Sequence, residues 1–428
     1  MSGKTADRIA RLVAAGERLK TRPASEIIDG LADTCAQWRD DDWPPRYRAT
    51  EALAERYRVP TSSIAEVLDS AFNGWTRQSL EDWVVAELGD LGALDGFVTN
   101  GSTSRRVVGP ELIVAIGAHG IPTTPITDII SAVLVKAPVW LKPASATDDL
   151  AARFAATLAE NDPELGAAVV VDSWPDPPGG RDSVLAAATT VIATGRAETV
   201  KRLRATVSSA SNLIVHGPRL SAALITGEAL AEDSVQVIDA LACDTAFAGQ
   251  MGCLSPVTAF VEASRSDVAS LVRPLLEACV NRWPSPPRCE AGAGERAAFV
   301  GWRSLMDVEA SAGIANRWAG DLDCPWTVVA RSEPEHPSPP PVPQFLTLAP
   351  IDDVDRSIGL CAERRGLIAT VGVAAPSERR RDIARALSMA GVERIAALGS
   401  MQRPPLDWRR DGRPTLADLV RWVEWEGS

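Results

Sequence analysis

Gly249-Gln250-Met251-Gly252-Cys253-Leu254-Ser255-Pro256 separates an apolar run with helical spacing, 235–247, from a β-branched run, 257–262, that is typical of a strand. The glycines and the proline predict a tight turn between that helix and that strand. A cysteine at such a turn can present its sulfur beside backbone N–H groups, which suits a thiol that attacks a carbonyl and the oxyanion that then forms. Alternatively, Cys253 is a small buried residue without chemistry, the commonest state of a free cysteine.

The segments around this turn predict an α/β fold. Polar segments with helical periodicity fill the first hundred residues, and short β-branched runs alternate with helices from residue 111 onward. This alternation is typical of doubly wound parallel sheets, so we predict two doubly wound α/β domains after a helical N-terminal region. The predicted boundaries are 1–100 for the helical region, 101–217 for a nucleotide-binding domain, 218–400 for the catalytic domain with the cysteine, and 401–428 for a tail ending in a helix over 415–425. The predicted strands of the catalytic domain are 222–225, 257–261, 327–329 and 367–371.

Charge and composition argue against several classes of function. With a formal net charge of −12 and a pI near 5.0, the chain lacks the basic balance of a nucleic-acid-binding protein. Its seven cysteines form no Cys-x-x-Cys pair and it has three histidines, which argues against a disulfide framework and a metal centre. Residues 1–20 lack the apolar core of a signal peptide, and no apolar run reaches membrane-spanning length. We therefore expect a cytoplasmic protein with reduced thiols and no membrane insertion.

Three sites in the predicted nucleotide-binding domain fall where a strand ends, namely His119-Gly120, Lys142 and Thr194-Gly195. Doubly wound sheets bind ligands at the carboxyl ends of their strands, so these residues are candidates for a ligand site. The dinucleotide fingerprint Gly-x-Gly-x-x-Gly does not occur in the chain, and the pattern by itself does not identify the ligand. Taken alone, Lys142 is also compatible with a surface lysine that has no role.

Several segments, in this order, resemble the aldehyde dehydrogenase superfamily, and within it the acyl-CoA reductases of the LuxC type. Segment 247–256 is similar to the FxQQxCLSPQ motif around that family's cysteine, and segment 139–143, VWLKP, is similar to a strand end of the superfamily. Weaker similarities lie at 94–97, 192–195, 391–395 and 411–413. The resemblance extends over residues 80–425 and implies an aldehyde-dehydrogenase-like fold.

The resemblance also implies a reaction. Cys253 would attack an acyl thioester and hold the acyl group as a thioacyl enzyme, which hydride from a reduced nicotinamide would convert to an aldehyde. Gln250, in the same segment, belongs to the implied catalytic set. His216 would be the acid that protonates the leaving thiolate or the aldehyde oxygen, since histidine exchanges protons near neutral pH. The alternative for His216 is a hydrogen-bonded histidine that ends a strand and has no role in the reaction.

For the cofactor, the resemblance implies binding by Lys142, Ser145, Thr194 and Gly195, with Lys142 on the ribose hydroxyls. Ser145 stands where many NAD-dependent relatives have a glutamate, and a carboxylate there would repel a 2′-phosphate. The serine therefore predicts the use of NADPH, with NADH as the alternative cofactor.

Two departures from the superfamily bear on the chemistry. The water-activating glutamate is missing from the matching segment, 216–221, and without a base for water the thioacyl enzyme is expected to be reduced and not hydrolysed. The asparagine that binds the oxyanion is replaced by His119-Gly120. Gly120 has no side-chain donor, so His119 and the backbone are the candidates for this role.

The leading hypothesis is an NADPH-dependent reductase that converts acyl-CoA, or an acyl group on a carrier protein, to the aldehyde. Two alternatives stay open: a cofactor-independent acyltransferase that uses the same cysteine, and a non-enzymatic descendant of the fold. Two forms of assembly also stay open: a homo-oligomer, and a complex with an acyl-transfer partner protein.

Overall fold

The computed structural model describes residues 3–117, 120–144, 148–172, 180–195, 197–311 and 317–426. These residues form two compact units. Unit 1 comprises Met1–Glu51, Ala65–Pro218 and Pro405–Ser428, and unit 2 comprises Ala52–Ile64 and Arg219–Pro404. Unit 1 is therefore assembled from three stretches of sequence, the last of which is the C-terminal tail.

The N-terminal region is helical, as predicted. Its helices are α1 Gly3–Thr21, α2 Ala24–Gln37, α3 Pro44–Tyr57, α4 Thr61–Phe72 and α5 Arg77–Leu88. In α2 the residues Ile27, Leu31 and Cys35 recur every four positions and are fully buried, so the helix presents one apolar face to the core. Thr76 caps α5, where its hydroxyl accepts the backbone N–H of Ser79.

The remaining elements alternate between strands and helices. The helices are α6 Thr124–Leu134, α7 Asp148–Asn161, α8 Pro163–Ala167, α9 Gly180–Ala187, α10 Ala197–Thr206, α11 Gly227–Glu232, α12 Ser234–Ala246, α13 Arg265–Ser270, α14 Val272–Arg282, α15 Ala293–Ser311, α16 Val354–Ala362 and α17 Ser377–Met389. Short 3₁₀ helices span Leu91–Leu94 and Arg288–Glu290, and Phe247–Gln250 is a tight turn whose residues Ala248 and Gly249 have non-helical backbone angles. The strands are β1 Val98–Asn100, β2 Thr103–Val108, β3 Ile113–Ile116, β4 Val139–Lys142, β5 Val169–Val171, β6 Thr190–Thr194, β7 Asn212–His216, β8 Leu220–Ile225, β9 Pro256–Glu262, β10 Arg317–Ala319, β11 Thr327–Ala330, β12 Phe345–Ile351, β13 Ile368–Ala374, β14 Arg394–Ala397 and β15 Arg421–Glu426.

Unit 1 contains a five-stranded parallel sheet in the order β5-β4-β3-β6-β7. The central strand β3 is buried along its whole length, as expected for an apolar run in a parallel sheet covered on both faces. The chain leaves β3 toward β5 and returns to β6 on the other side, so the winding reverses beside β3. In doubly wound folds this reversal marks where ligands bind, at the carboxyl ends of the strands.

The tail of unit 1 corrects one prediction. The helix predicted over 415–425 is wrong, because residues Arg421–Glu426 form β15, which pairs antiparallel with β2 at the edge of a three-stranded sheet with β1. The sequence RWVEWE is rich in tryptophan and valine, both strand formers. Strand pairing with β2 and the edge-to-face contact of Trp425 with Phe97 stabilise the extended form.

Unit 2 contains a seven-stranded sheet in the order β10-β11-β12-β9-β8-β13-β14, parallel except for β10. The four strands predicted in this region correspond to β8, β9, β11 and β13 and are confirmed. β12 was not predicted, since the prolines that precede it and Pro350 inside it are typical of a surface connection. It nevertheless lies between β11 and β9, where Leu346 and Leu348 are fully buried.

Candidate active site

The turn before Cys253 has an unusual backbone. Ala248, Gly249 and Gln250 have positive φ angles of 50°, 64° and 63°, a run in the left-handed region that costs residues with a Cβ about 1–2 kcal/mol each. Gly249 is required on a second ground, because a Cβ there would lie 2.7 Å from Nε1 of Trp283. Strained backbone of this kind persists only where surrounding contacts hold it.

The amide of Gln250 supplies such contacts. Its Nε2 donates to the carbonyl oxygens of Pro256, at 3.0 Å, and Phe345, at 2.9 Å. Its Oε1 accepts the backbone N–H of Phe345 at 2.8 Å. One side chain thus joins the turn to the first residues of β9 and β12, two neighbouring strands of the sheet.

Two further side chains, those of Ser221 and Gln402, contact Cys253 and Ser255. The hydroxyl of Ser221, in β8, donates to the carbonyl oxygen of Cys253 at 2.7 Å. Nε2 of Gln402 donates to the hydroxyl of Ser255 at 3.2 Å and to the carbonyl oxygen of Asp244 at 2.6 Å. The cysteine turn, residues 248–256, is consequently held by β8, by β12 and by the loop that contains Gln402.

Asp244 holds that loop in turn. Its carboxylate accepts the backbone N–H groups of Gly399 and, at 2.9 Å, of Met401. Burial raises the pKa of Asp244 to about 6, although the hydrogen bonds from this loop and the nearby Arg394 act in the opposite direction. Asp244 is fully buried, so the cost of desolvating its charge outweighs the hydrogen bonds it accepts.

Exposure distinguishes Cys253 from most other cysteines of the chain. Cys253 is exposed, whereas Cys35, Cys279 and Cys361 are buried, and burial raises the pKa of each of these three thiols to about 12. A buried thiol of that kind forms almost no thiolate near neutral pH, and the thiolate is the nucleophile. Cys289 is also exposed, but it lies in a 3₁₀ helix without the left-handed turn.

The predicted cofactor residues of unit 1 lie at one edge of the five-stranded sheet. Lys142 ends β4, and Thr194 ends β6 with Gly195 directly after it; Gly120, predicted for the oxyanion region, follows β3 in the sequence. The Oγ1 atom of Thr194 is inaccessible to solvent and has no hydrogen-bond partner among the described residues. His119 and Ser145, the other two residues predicted near this edge, lie outside the described residues.

His216 ends β7, beside Thr194 in the register of the two strands. Its Nδ1 lies 2.7 Å from Oδ2 of Asp411, which the tail of unit 1 brings to this position. Asp128, in α6, is a second carboxyl group with an electrostatic interaction with His216. Burial raises the pKa of Asp128, while Arg410 and His216 counteract that shift.

Sequence reasoning missed most of these supporting residues. Ser221, Asp244 and Gln402 contact the turn or its anchors from positions far away in sequence, and no local motif marks them. Asp411 lies in a segment that resembles the family, but nothing in that segment indicates a contact with His216. Only the turn residues themselves are marked by their glycines.

Two other kinds of feature are absent from the described residues. No helix in the described ranges is both long and apolar enough to cross a membrane. Within the same residues, no group of three or more His, Cys, Asp or Glu side chains could hold a metal ion.

Comparison with known proteins gives a consistent answer. The family model described as acyl-CoA reductase (LuxC) matches residues 19–422. No protein with a curated function matches the chain by sequence. Solved structures share the fold at low identity, and they include an NADP-dependent glyceraldehyde-3-phosphate dehydrogenase from Bacillus halodurans C-125 complexed with NADP, with a TM-score of 0.71, 15% identity, and coverage of 100% of this chain and 92% of that one.

Two further structures have the same architecture. An acetylating aldehyde dehydrogenase from Geobacillus thermoglucosidasius has a TM-score of 0.70 and 14% identity, with 99% of this chain and 96% of that chain covered. An oxidoreductase from Marinobacter aquaeolei has a TM-score of 0.74 and 15% identity, with 98% and 90% covered. The likeness confirms the predicted aldehyde-dehydrogenase-like α/β fold.

Proposed function

The chain belongs to the LuxC acyl-CoA reductase family, and from that premise we propose that it reduces an acyl thioester to the aldehyde with NADPH, through a thioacyl intermediate on Cys253. One observation carries the proposal: the exposed thiol of Cys253 follows a strained left-handed turn that Gln250 ties to two strands. Strain and dedicated hydrogen bonds around an exposed thiol are typical of a nucleophile held in place.

Acylation is the first step of the proposed reaction. The Cys253 thiolate attacks the thioester carbonyl, and the carbon–sulfur bond to CoA breaks when the tetrahedral intermediate collapses. Backbone N–H groups of the cysteine turn stabilise the oxyanion. Gln250 has a positioning role in this proposal, since both ends of its amide already bond the backbone.

The carboxyl edge of the five-stranded sheet fits a nicotinamide cofactor. Lys142, at the end of β4, offers an ammonium group for the ribose hydroxyls, and Gly195, directly after β6 and Thr194, leaves room for close approach. When bound, the reduced cofactor supplies the hydride. We propose NADPH because Ser145 stands in the sequence where many NAD-dependent relatives have a glutamate, and a serine there leaves no carboxylate to repel a 2′-phosphate.

Segment 216–221 supports reduction over hydrolysis. A thioacyl enzyme is hydrolysed when a base deprotonates a water molecule beside it, and the carboxylate expected for that role is missing from this segment. Hydride then reaches the intermediate before water does. The same reasoning applies whether the acyl group arrives on CoA or on a carrier protein, and we propose both as donors.

The proposal is tested by following both half-reactions in one preparation. Incubation with an acyl-CoA without NADPH should add the mass of the acyl group to the Cys253 peptide, and addition of NADPH should remove the adduct while the nicotinamide absorbance falls. Cys253→Ala should abolish the adduct and lower turnover by at least ~10³-fold, as loss of a nucleophile does elsewhere. Cys289→Ala, the matched change at another exposed thiol, should leave both unchanged.

Each contradictory outcome has a definite meaning. An adduct that NADPH does not discharge would support an acyltransferase and overturn the hydride step. Absence of an adduct in the wild-type protein across short, long and aromatic acyl-CoAs would overturn the covalent intermediate. Turnover that survives Cys253→Ala would remove that cysteine from the mechanism.

A further inference from the structure

Arg8, in the first helix, reaches the carboxyl edge of the five-stranded sheet within unit 1. Its Nη1 donates to Oδ2 of Asp172, the residue directly after β5, and its guanidinium carbon lies 4.9 Å from the centre of the Trp140 ring. An ion pair and a cation–π contact therefore hold the guanidinium from two sides. The side chains of Arg8 and Asp172 are 41% and 39% exposed, so a ligand from solution can reach them.

Lys142 lies on the same face of the sheet as Arg8. Alternate side chains of a strand share a face, so Lys142 points to the same side as Trp140. Trp140 packs in one hydrophobic cluster with Leu12 of α1, which is four residues after Arg8 and thus on the same side of that helix. The two cations, Arg8 and Lys142, are therefore on one face of one edge.

Asp172 shares this face. Its backbone N–H donates to the carbonyl oxygen of Leu141 at 3.0 Å, so the pairing of β5 with β4 extends to it. Val170, two residues before Asp172, packs against the cluster that contains Trp140. A carboxylate at this edge would repel a phosphate group, and the ion pair with Arg8 neutralises that charge.

Arg8 also has donors left for a ligand. Its Nη1 is engaged by Asp172, whereas its Nη2 and Nε have no hydrogen-bond partner among the residues that the structure describes. Guanidinium groups bind phosphates through several N–H donors in one plane. In dinucleotide-binding sheets, an arginine near the adenosine ribose accommodates the 2′-phosphate of NADP. Lys142 is the residue proposed for the ribose hydroxyls, and Arg8 shares its face of the edge.

An ion pair that only docks α1 on the sheet would also explain the contact between Arg8 and Asp172. Ion pairs at half-exposed positions of this kind add little to stability. The two roles differ in their consequence for a nucleotide, because a docking contact does not distinguish a ribose with a 2′-phosphate from one without it.

We propose that Arg8 binds the 2′-phosphate of NADPH and that Asp172 and Trp140 are positioning residues that fix its guanidinium. This assignment rests on the proposed function, because it concerns the cofactor named there. It adds a specificity-determining residue from the N-terminal helical region, whereas the sequence pattern pointed to Ser145.

The test measures the binding of two adenosine nucleotides by calorimetry: 2′,5′-ADP, which carries the 2′-phosphate, and 5′-AMP, which lacks it. The wild-type protein should bind 2′,5′-ADP more tightly than 5′-AMP. Arg8→Gln should weaken the binding of 2′,5′-ADP by roughly tenfold to a hundredfold, the usual worth of a hydrogen bond to a charged group, and should leave 5′-AMP binding unchanged. Arg8→Lys keeps the charge without the planar fork and should give an intermediate loss.

Two further variants separate the phosphate contact from a general effect of charge. Arg11→Gln is the matched control, since Arg11 is an exposed arginine of the same helix that bonds only the carbonyl oxygen of Asp7, and both affinities should stay unchanged. Asp172→Asn, added to Arg8→Gln, should restore part of the affinity for 2′,5′-ADP because it removes the carboxylate that Arg8 no longer neutralises. Unchanged 5′-AMP binding also shows that a variant has kept its folded sheet edge.

The possible results distinguish this proposal from the proposed reductase function. If Arg8 determines the preference for 2′,5′-ADP but the protein reduces no acyl-CoA, the reductase function fails and the role of Arg8 stands. If the wild-type protein binds both nucleotides equally, or Arg8→Gln keeps the wild-type preference, the role of Arg8 is overturned and the reductase function stands. If the wild-type protein binds neither nucleotide, both the role of Arg8 and the hydride step are overturned.

Two outcomes would assign Arg8 another role and would also overturn the proposal. Equal losses in Arg8→Gln and Arg11→Gln would indicate a general effect of positive charge. Loss of both nucleotides in Arg8→Gln would indicate a contact that only docks α1 on the sheet.

Discussion

The cysteine turn of unit 2 and the carboxyl edge of the five-stranded sheet in unit 1 position their side chains in opposite ways. The edge is made of ordinary strand ends, and Lys142 and Thr194 are placed by the regular geometry of β4 and β6. The turn has three successive left-handed residues and depends on hydrogen bonds from β8, β12 and the loop that contains Gln402.

This difference predicts which substitutions each of the two regions tolerates. At the sheet edge, exchanging one side chain leaves the backbone in place because the ladder of parallel strands supports it. At the turn, the backbone itself is the strained element, and any residue that alters it moves the thiol. A displacement of about 1 Å is enough to cost a reaction two orders of magnitude.

Gly249→Ala should have the largest effect of the proposed changes. A small effect would contradict the view that the backbone is the strained element at the turn. The added Cβ meets Trp283 at 2.7 Å and occupies a left-handed position, so we expect a loss of about 2–5 kcal/mol in the free energy of unfolding. Acylation of Cys253 should fall at least ~10²-fold, while NADPH affinity should stay unchanged. Denaturant unfolding, mass spectrometry and a cofactor titration measure the three quantities.

Gly301→Ala is the matched control for that change. Gly301 lies in α15 with no atom within 4 Å of an added Cβ and without a positive φ, so alanine should be neutral or slightly stabilising there. Equal behaviour of the two variants would refute the view that the turn is strained and closely packed.

Asp244→Asn should have an intermediate effect that depends on pH. The pKa of Asp244 is about 6 in the folded protein against an ordinary value of 3.8, so the native state holds this proton more tightly than the unfolded chain. Its stabilising contribution is complete below about pH 3.8 and is lost as the pH rises through about 6. Relative to the asparagine variant, the wild-type protein should therefore lose on the order of 3 kcal/mol between these pH values.

Chemical unfolding of both proteins across that range measures the difference. Asp239→Asn, on the same helix but exposed, controls for the removal of a carboxylate. A difference between wild type and Asp244→Asn that stays constant with pH would contradict the assignment of a raised pKa to this buried group.

Ser145→Glu should have the smallest effect, and it should be confined to the choice of cofactor. A carboxylate near a 2′-phosphate costs about 1–4 kcal/mol at separations of a few ångström, so the ratio of kcat/KM for NADPH over NADH should fall about tenfold or more. Acylation of Cys253 without cofactor should be unchanged. Ser145→Gln, which adds similar bulk without charge, should leave the cofactor ratio near that of the wild type.

Local sequence predicted the elements whose pattern is local. The apolar runs of β3 and β9, the helical N-terminal region and the glycine-framed turn all follow from residue types at short spacing. β12 was missed because its flanking prolines imitate a surface loop, and it is stabilised by pairing with β9 and β11. The error at 415–425 has the same cause, since β15 is extended because it pairs with β2.

Contacts between distant residues account for the part of the site that sequence did not predict. Gln250 was singled out by its place in the motif, but its bonds to Phe345 depend on how β12 packs. Asp411 meets His216 across 195 positions of sequence, and no spacing rule connects them. The sequence motif therefore identifies the nucleophile, but it does not identify the distant residues that hold the nucleophile and its surroundings in place.

The tail of unit 1 also sets an order of assembly. A nascent chain emerges with its N-terminus first, and residues Pro405–Ser428 can join unit 1 only after all of unit 2 has been made. Until then β2 lacks the neighbour that reaches it across more than three hundred residues, and His216 lacks its aspartate. A chain still in synthesis can thus contain the five-stranded sheet and the Cys253 thiol before Asp411 orients His216. Unit 1 is completed only when synthesis reaches its tail.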